Sequence, residues 1–180
     1  MMNIFNTIWT TVAHEFSDIP DIEQATRIVL RLAMAIILGA AIGYERELRG
    51  KAAGLRTHML VSLGAAIFIL VPLQSGIGAA DASRVLQGII AGIGFLGAGA
   101  IIKFNDQATV KGLTTAASIW VAASIGIAAG MGREATAVVS TLAVLFILAI
   151  VGRLETNIDV DDKPQHTEPE VGKQKNTDST

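Results

Sequence analysis

Charged side chains that could form a site are concentrated in one short stretch of the chain, Gly43 to His58, which reads GYERELRGKAAGLRTH. It contains two carboxylates, four cations and one histidine: Glu45, Glu47, Arg46, Arg49, Lys51, Arg56 and His58. Arginines and carboxylates this close in sequence can form ion pairs, and an arginine beside the start of a helix can hold an anion. Because the residues before this stretch are almost entirely apolar, the surrounding elements must explain why charge is gathered here.

Glu45 is the most informative residue of this stretch. It is predicted to lie near the C-terminal end of a helix, where a carboxylate opposes the helix dipole, so it should need a cationic partner. The nearest candidates in sequence are Arg46, Arg49 and Arg56. Two hypotheses follow: an ion-pair clamp that fixes the turn, or an anion site at the helix start near Thr57, flanked by Arg56 and His58.

A second charged turn lies further along the chain and is predicted to face the same side of the protein. Lys103, Asp106 and Lys111 occupy this turn and can join either arrangement, and Thr115 begins the helix that follows it. The candidate functional cluster therefore comprises Glu45, Arg46, Arg49, Arg56, Thr57, His58, Lys103, Asp106, Lys111 and Thr115.

Sequence signals for catalysis and for bound cofactors are missing. There is no Cys, no His pair at metal-ligand spacing, no phosphate-binding loop and no nucleophile beside a suitable base. Glu45, Glu47 and Asp106 could serve magnesium, but the neighbouring arginines argue against a bare cation site. The glycine spacing in GIGFLG resembles a dinucleotide site, yet no strand precedes it. We therefore expect no enzymatic activity, no cofactor, no resident metal and, at a net charge of −2, no nucleic-acid partner.

Long apolar stretches dominate the chain, which has 180 residues, 51% of them hydrophobic and 17% charged. A membrane span needs about 20 largely apolar residues to cross a hydrocarbon core of about 30 Å. Five such spans are predicted: Ile28 to Tyr44, Thr57 to Leu73, Val85 to Ile102, Leu113 to Met131 and Ala135 to Val151. Because lipid offers no partners to backbone polar groups, each span should be a helix, and the predicted fold is an all-α membrane protein.

Both ends of the chain differ from this domain, which is predicted to cover residues 27–152. In residues 1–20, apolar side chains recur at helical spacing, which predicts an amphipathic helix lying flat at the membrane interface. Residues 153–180 are polar and lack periodicity, which predicts a disordered tail.

The distribution of Lys and Arg predicts the orientation in the membrane. If the turn after the first span is cytoplasmic, that side carries eight Lys and Arg in its turns and near the last span, against four on the other side. Cytoplasmic connections normally hold this excess. The N-terminus is therefore expected outside and the C-terminus in the cytoplasm.

The first four spans look like a repeat. Shifting the sequence by 58 residues aligns Leu38, Gly39 and Ala40 with Leu96, Gly97 and Ala98, and Gly54, Leu55 and Thr57 with Gly112, Leu113 and Thr115. Two parallel copies of a helical hairpin are therefore expected, related by an axis along the membrane normal. In each copy the Thr hydroxyl is expected to accept from an N–H at the helix start.

Glycines mark one face of the third predicted span. Gly88, Gly92 and Gly99 form a small-residue stripe, while the bulky residues from Val85 to Leu96 form another. Small residues let helices approach closely in lipid. The third span is therefore predicted to lie at the centre of the bundle, with its bulky stripe toward lipid or a second subunit of a homo-oligomer.

Three segments together give the chain a family resemblance: GYERELRGKAAGLRTHMLVSLGAA, GIGFLGAGAI and VKGLTTAASIWVAA. From about Arg27 to Val151 the chain resembles the MgtC/SapB family of bacterial inner-membrane proteins. By motif matching, residues 45–46 and 54–58 correspond to the family's first signature. The glycines at 94, 97 and 99 correspond to the second, and Lys111, Gly112 and Thr115 to the third.

The resemblance implies a location in the bacterial inner membrane and a role in adaptation to low magnesium or acid stress and in virulence. One member is reported to act on the F-type ATP synthase through the membrane, which suggests a partner of that kind. Relatives often carry a soluble C-terminal domain of the ACT type, and we expect this chain to be a short form without it.

Two functional hypotheses follow. The first is a non-enzymatic regulator that docks on another membrane complex, and the second is a small Mg2+ or H+ transporter or channel. Ionisable residues deep inside spans usually mark a transport path. Because only Arg31 approaches such a position, the sequence favours the regulator.

Overall fold

The computed structural model describes residues 4–17, 21–103 and 110–151, and most of these residues are helical. The helices are α1 (Ile4–Glu15), α2 (Ile22–Leu48), α3 (Leu55–Gln74), α4 (Ala79–Gly99), α5 (Leu113–Gly130) and α6 (Glu134–Phe146). A π-helical segment, Ile147–Val151, continues α6. Two short antiparallel strands, β1 (Ile102–Lys103) and β2 (Val110–Lys111), form a hairpin between α4 and α5.

The predicted all-α membrane fold is confirmed. Four helices, α2 to α5, are long and apolar enough to cross a membrane, and a shorter apolar helix follows at Glu134–Ile150. α2 begins six residues before the predicted span, because the side chain of Asp21 caps it by accepting a 2.7 Å hydrogen bond from the Gln24 amide. The β-hairpin replaces the simple turn that the sequence suggested.

α5 lies at the centre of the bundle and contacts α2, α3, α4 and α6, while α3 packs against both α2 and α5, and α6 packs against α2 and α5. Glycines let these backbones touch. A Cβ added at Gly126 of α5 would lie 2.0 Å from the Ser62 carbonyl oxygen of α3, and one at Gly39 of α2 would lie 2.7 Å from the His58 carbonyl oxygen. The Ser62 hydroxyl also donates to the Ala35 carbonyl of α2 at 2.8 Å. The three helices therefore meet backbone to backbone.

The prediction that the third span lies at the bundle centre, packed through Gly88, Gly92 and Gly99, is wrong for this chain. All three glycines of α4 are exposed, and a Cβ at any of them would meet nothing within 4 Å. The bulky face packs inward instead, with Ile89 buried against a cluster that includes Ala65 and Ala123. Large side chains hold α4 away from α3, so the glycines beside them do not reach the α3 backbone.

Parts of the predicted organisation stay predictions. Equivalent positions make a contact within each hairpin. Gly39 of α2 contacts His58 of α3, and at positions 58 residues later Gly97 of α4 contacts Ala116 of α5, where an ideal Cβ on Gly97 would lie 3.7 Å from the Ala116 Cβ. This pairing agrees with a repeat, whose overall superposition is untested.

α1 is helical with its apolar side chains exposed, which leaves its location at the interface a prediction. The tail at 153–180 lies outside the described residues.

We expect Gly126→Ala to destabilise the bundle by about 1–3 kcal/mol, because the added methyl group would overlap the α3 backbone, which cannot rotate away. The measurement is the unfolding midpoint of the purified protein in detergent. Gly94→Ala on α4 is the matched control, since a Cβ there meets nothing and alanine favours a helix over glycine. Equal midpoints for the two variants would contradict the close contact.

Candidate functional site

The turn between α2 and α3 and the β-hairpin lie at the same end of the bundle, which we call the charged end. Here the Glu45 carboxylate contacts two arginines: Oε2 lies 3.3 Å from Arg46 Nε, and Oε1 lies 3.2 Å from Arg49 Nε. The side chain of Arg46 is 4% exposed and that of Glu45 16%. The expected cationic partners of Glu45 are therefore found, except that Arg56 is not among them.

The contacts of Glu45 depend on charge more than on directed hydrogen bonds. Both of its carboxylate oxygens and Arg46 Nε are buried, and none of the three has a partner in hydrogen-bond geometry. A buried charge is costly unless an opposite charge lies beside it. Each member of this cluster therefore depends on the others, as an ion-pair clamp requires.

Arg49 extends the cluster to the last helical segment. Its Nη2 donates to the carbonyl of Ala149 at 3.4 Å, in the π-helical segment after α6. Free carbonyls at the C-terminal end of a helix attract cations. The contact joins the end of α2 to the end of the chain's membrane domain, a link across 100 residues of sequence.

Glu47 has a structural role that the sequence did not indicate. Its Oε2 accepts a 2.8 Å hydrogen bond from the Leu55 amide and so caps α3. Gly54 occupies the N-cap position and has no side chain for this purpose. A Cβ at Gly54 would lie 2.8 Å from the same Glu47 oxygen, so glycine makes room for the distant cap. The only feature of the sequence that could have indicated this role of Glu47 is the glycine at position 54, which has no side chain to cap α3.

His58 is fully buried, and its imidazole joins α3 to α5. Nδ1 lies 2.9 Å from the Gly54 carbonyl oxygen and Nε2 lies 3.0 Å from Ser118 Oγ. Because a carbonyl only accepts, Nδ1 carries a proton and donates to it. In the neutral ring, Nε2 then accepts, and the single Ser118 hydroxyl proton is shared between Nε2 and the Thr115 carbonyl 2.8 Å away.

The structure separates the remaining predicted residues from these two clusters. Arg56 and Thr57 are exposed on the first turn of α3, and Thr57 provides no cap to that helix. His58 does not join them in an anion site, because its position one residue further turns it into the bundle. Thr115 is buried beside Ser118 and does not cap α5, whose N-cap residue is Gly112.

The second charged turn stands partly outside the described residues. Lys103 and Lys111 lie on the paired strands of the hairpin, and Lys111 is exposed. Asp106 belongs to residues 104–109, which the structure does not describe.

Gly112 takes a left-handed conformation, with φ of 97°, and a Cβ there would lie 2.1 Å from the Ala100 carbonyl oxygen. Glycine is therefore required where the hairpin meets α5.

Arg31 forms a comparable link at the opposite end of the bundle. Its Nη1 donates to the Gly130 carbonyl at the end of α5 at 3.4 Å, and its Nε lies 4.0 Å from the Glu134 carboxylate at the start of α6. The cation neutralises both the carboxylate and the negative end of α5. Within the described residues, no group of three or more His, Cys, Asp or Glu side chains is arranged to hold a metal ion.

A bundle of long apolar helices joined at both ends by arginine contacts defines a multi-pass α-helical membrane protein. The family model described as the MgtC family matches residues 32–157. The chain belongs to the MgtC family, as its motifs predicted.

Relatives with printed names support the family. The chain is 46% identical over 102 residues to protein SrpB of Synechococcus elongatus, covering 51% of this chain and 56% of SrpB. It is 44% identical over 100 residues to the Escherichia coli protein named "Putative magnesium transporter YhiD", covering 52% and 46% of the two chains. To protein MgtC of Salmonella typhimurium it is 43% identical over 117 residues, covering 65% and 49%.

The chain thus spans about half the length of the curated relatives it matches. No solved structure matches it.

Glu45→Ala is expected to destabilise the protein by about 3 kcal/mol, because Arg46 would remain buried without its counter-charge. This is the lower end of the range for a broken buried pair, since Arg49 is partly exposed and can reach water. Lys51→Ala removes an exposed charge of the same turn and should leave the unfolding midpoint unchanged. If both variants unfold at the wild-type midpoint, the clamp does not stabilise the fold.

Ser118→Ala should cost about 1–3 kcal/mol, because it leaves a buried ring nitrogen of His58 without a partner. Ser124→Ala is the matched control on the same helix, since its exposed hydroxyl bonds only to the Trp120 carbonyl of α5 itself. Unfolding of both variants in detergent provides the comparison. A Ser118 variant as stable as the Ser124 variant would show that the imidazole contact does not hold α3 to α5.

Proposed function

We propose that the chain is a non-enzymatic regulator in the bacterial inner membrane, acting in magnesium homeostasis through a membrane partner. The observation that carries this proposal is the use of charged and polar groups as structural links. Glu45, Arg46 and Arg49 hold the charged end together, and Arg31 holds the other. A transporter would instead be expected to aim such groups at a polar path.

The packing of the interior also favours a regulator. α3 and α5 touch backbone to backbone at Gly126 and at Gly130, where a Cβ would lie 2.5 Å from the Ala66 carbonyl oxygen. The buried hydroxyls of Ser62 and Thr141 donate to backbone carbonyls inside the packed bundle, so they contribute to its internal hydrogen bonding. A rigid bundle of this kind suits lateral contact with another membrane protein.

The charged end is proposed to face the cytoplasm, where the excess of Lys and Arg agrees with the usual orientation. Exposed apolar side chains on the helices would contact the partner within the bilayer. The F-type ATP synthase is the candidate partner that the family resemblance suggests. The magnesium connection draws on that resemblance and on the name of YhiD.

A small Mg2+ or H+ transporter is the second candidate. The specific observation in its favour is the name "Putative magnesium transporter" carried by YhiD, which is 44% identical over 100 residues. In that case the paired hairpins would have to move apart to open a path, since α3 and α5 are in direct contact.

Two measurements on the full chain separate these functions. Protein reconstituted in liposomes is expected to pass no more Mg2+ or H+ than protein-free liposomes, and a pull-down from native membranes is expected to recover one stoichiometric membrane partner. The Lys51→Ala variant, which leaves the clamp intact, serves as the folded control in both. Flux above that of protein-free liposomes, with no partner recovered, would favour the transporter instead.

A further inference from the structure

An apolar groove of about 630 Å³ runs between α3 and α4. Its walls include Leu60, Gly64 and Phe68 of α3 and Gly88, Gly92 and Leu96 of α4. The groove exists because three of these residues lack side chains: a Cβ at Gly64, Gly88 or Gly92 would meet nothing within 4 Å. The glycines that do not pack helices together thus leave an open space on the surface that faces the bilayer.

The length of the groove matches one leaflet of a membrane. Leu60 to Phe68 covers about 12 Å of α3, and Val85 to Leu96 covers about 16 Å of α4, at 1.5 Å per helical residue. Half of a hydrocarbon core is about 15 Å deep. A lipid chain fills such a depth, whereas the spanning helix of a partner needs about twice that length.

Beyond Leu60, toward the charged end, the groove is followed on α3 by exposed polar residues, and we call this position its mouth. Thr57 lies one turn before Leu60 and Val61 on the same face of α3, and both Thr57 and its neighbour Arg56 are exposed. Arg56 pairs with no carboxylate in the described part of the chain. On α4, Gly99 lies one turn beyond Leu96 and adds no side chain that would close the mouth.

We propose that this groove binds one anionic phospholipid. An acyl chain lies in the groove, and the headgroup phosphate contacts the Arg56 guanidinium and the Thr57 hydroxyl. The arrangement combines an apolar channel of leaflet depth with an exposed cation and an exposed hydroxyl at headgroup level. The site applies whichever of the two proposed functions the chain performs, because it needs only the membrane location.

The lipid test uses the purified full chain in detergent, titrated with phosphatidylglycerol and with phosphatidylcholine of the same acyl chains, and bound lipid is counted by native mass spectrometry. Wild-type protein is expected to hold one phosphatidylglycerol in preference to phosphatidylcholine. Arg56→Gln should reduce that preference about fivefold, the effect of one basic residue beside an anionic headgroup, and should weaken phosphatidylcholine binding less, because the choline ammonium offsets the charge of its phosphate. Lys51→Gln, an exposed charge of the same turn, is the control and should keep the preference.

The groove itself is tested with Gly92→Leu, which fills it and should abolish binding of both lipids. Gly94→Leu is the matched control, because Gly94 is an exposed glycine of the same helix that does not line the groove. Both changes place leucine in open space and favour the helix, and Gly88→Leu repeats the test if the Gly92 variant does not fold.

Three outcomes would overturn the proposal. The first is equal lipid binding by the Gly92 and Gly94 variants, and the second is an unchanged lipid preference after Arg56→Gln. The third is a Gly92→Leu protein that keeps its lipid but changes from an oligomer to a monomer, which would make the groove an interface between copies of the chain.

Discussion

The backbone of α3 lies directly against those of α2 and α5, and the remaining features of the bundle depend on this contact. Lipid gives apolar side chains no reason to leave it, so helices in a bilayer associate by close packing and by hydrogen bonds between them. Gly39, Gly126 and Gly130 supply the close packing. Ser62 and His58 supply the hydrogen bonds, and both lie on α3 where the glycines bring its neighbours within reach.

Charge in this protein is placed where helices end. Arg49 and Arg31, at opposite ends of the bundle, each donate to a backbone carbonyl near the end of another helix. Glu45 lies between two arginines and compensates the buried one. Arg31 and Arg49 each contact a backbone carbonyl and a carboxylate at the same time. In this way one cation links helices that are distant in sequence. The use of these groups as links between helices is the observation on which the proposed regulatory role rests.

α4 is the exception to the tight packing, and the difference follows from which of its faces is turned inward. Its large side chains contact the bundle, with Ile89 buried, and hold the helix away from α3. Gly88 and Gly92, beside that inward face, are then left open to the gap between α3 and α4. The gap between α3 and α4 is apolar along its length, and Arg56, which pairs with no carboxylate among the described residues, lies near one end of it. The looser packing therefore creates a surface suited to a lipid.

The helical spans, the membrane fold, the family and the need of Glu45 for an arginine partner were all predictable from the sequence, and the structure selects Arg46 and Arg49 from the three candidates. Those follow from hydrophobic length and from contacts between neighbours in the chain. Which glycines touch another helix could be read only from the packing of the bundle, because glycine spacing is the same on a packed face and an open one. The packing also turns His58 into the bundle toward Ser118 while Thr57, one residue earlier, is exposed. A step of about 100° around a helix separates these two positions, and only the packing of α5 against α3 determines which of them is buried.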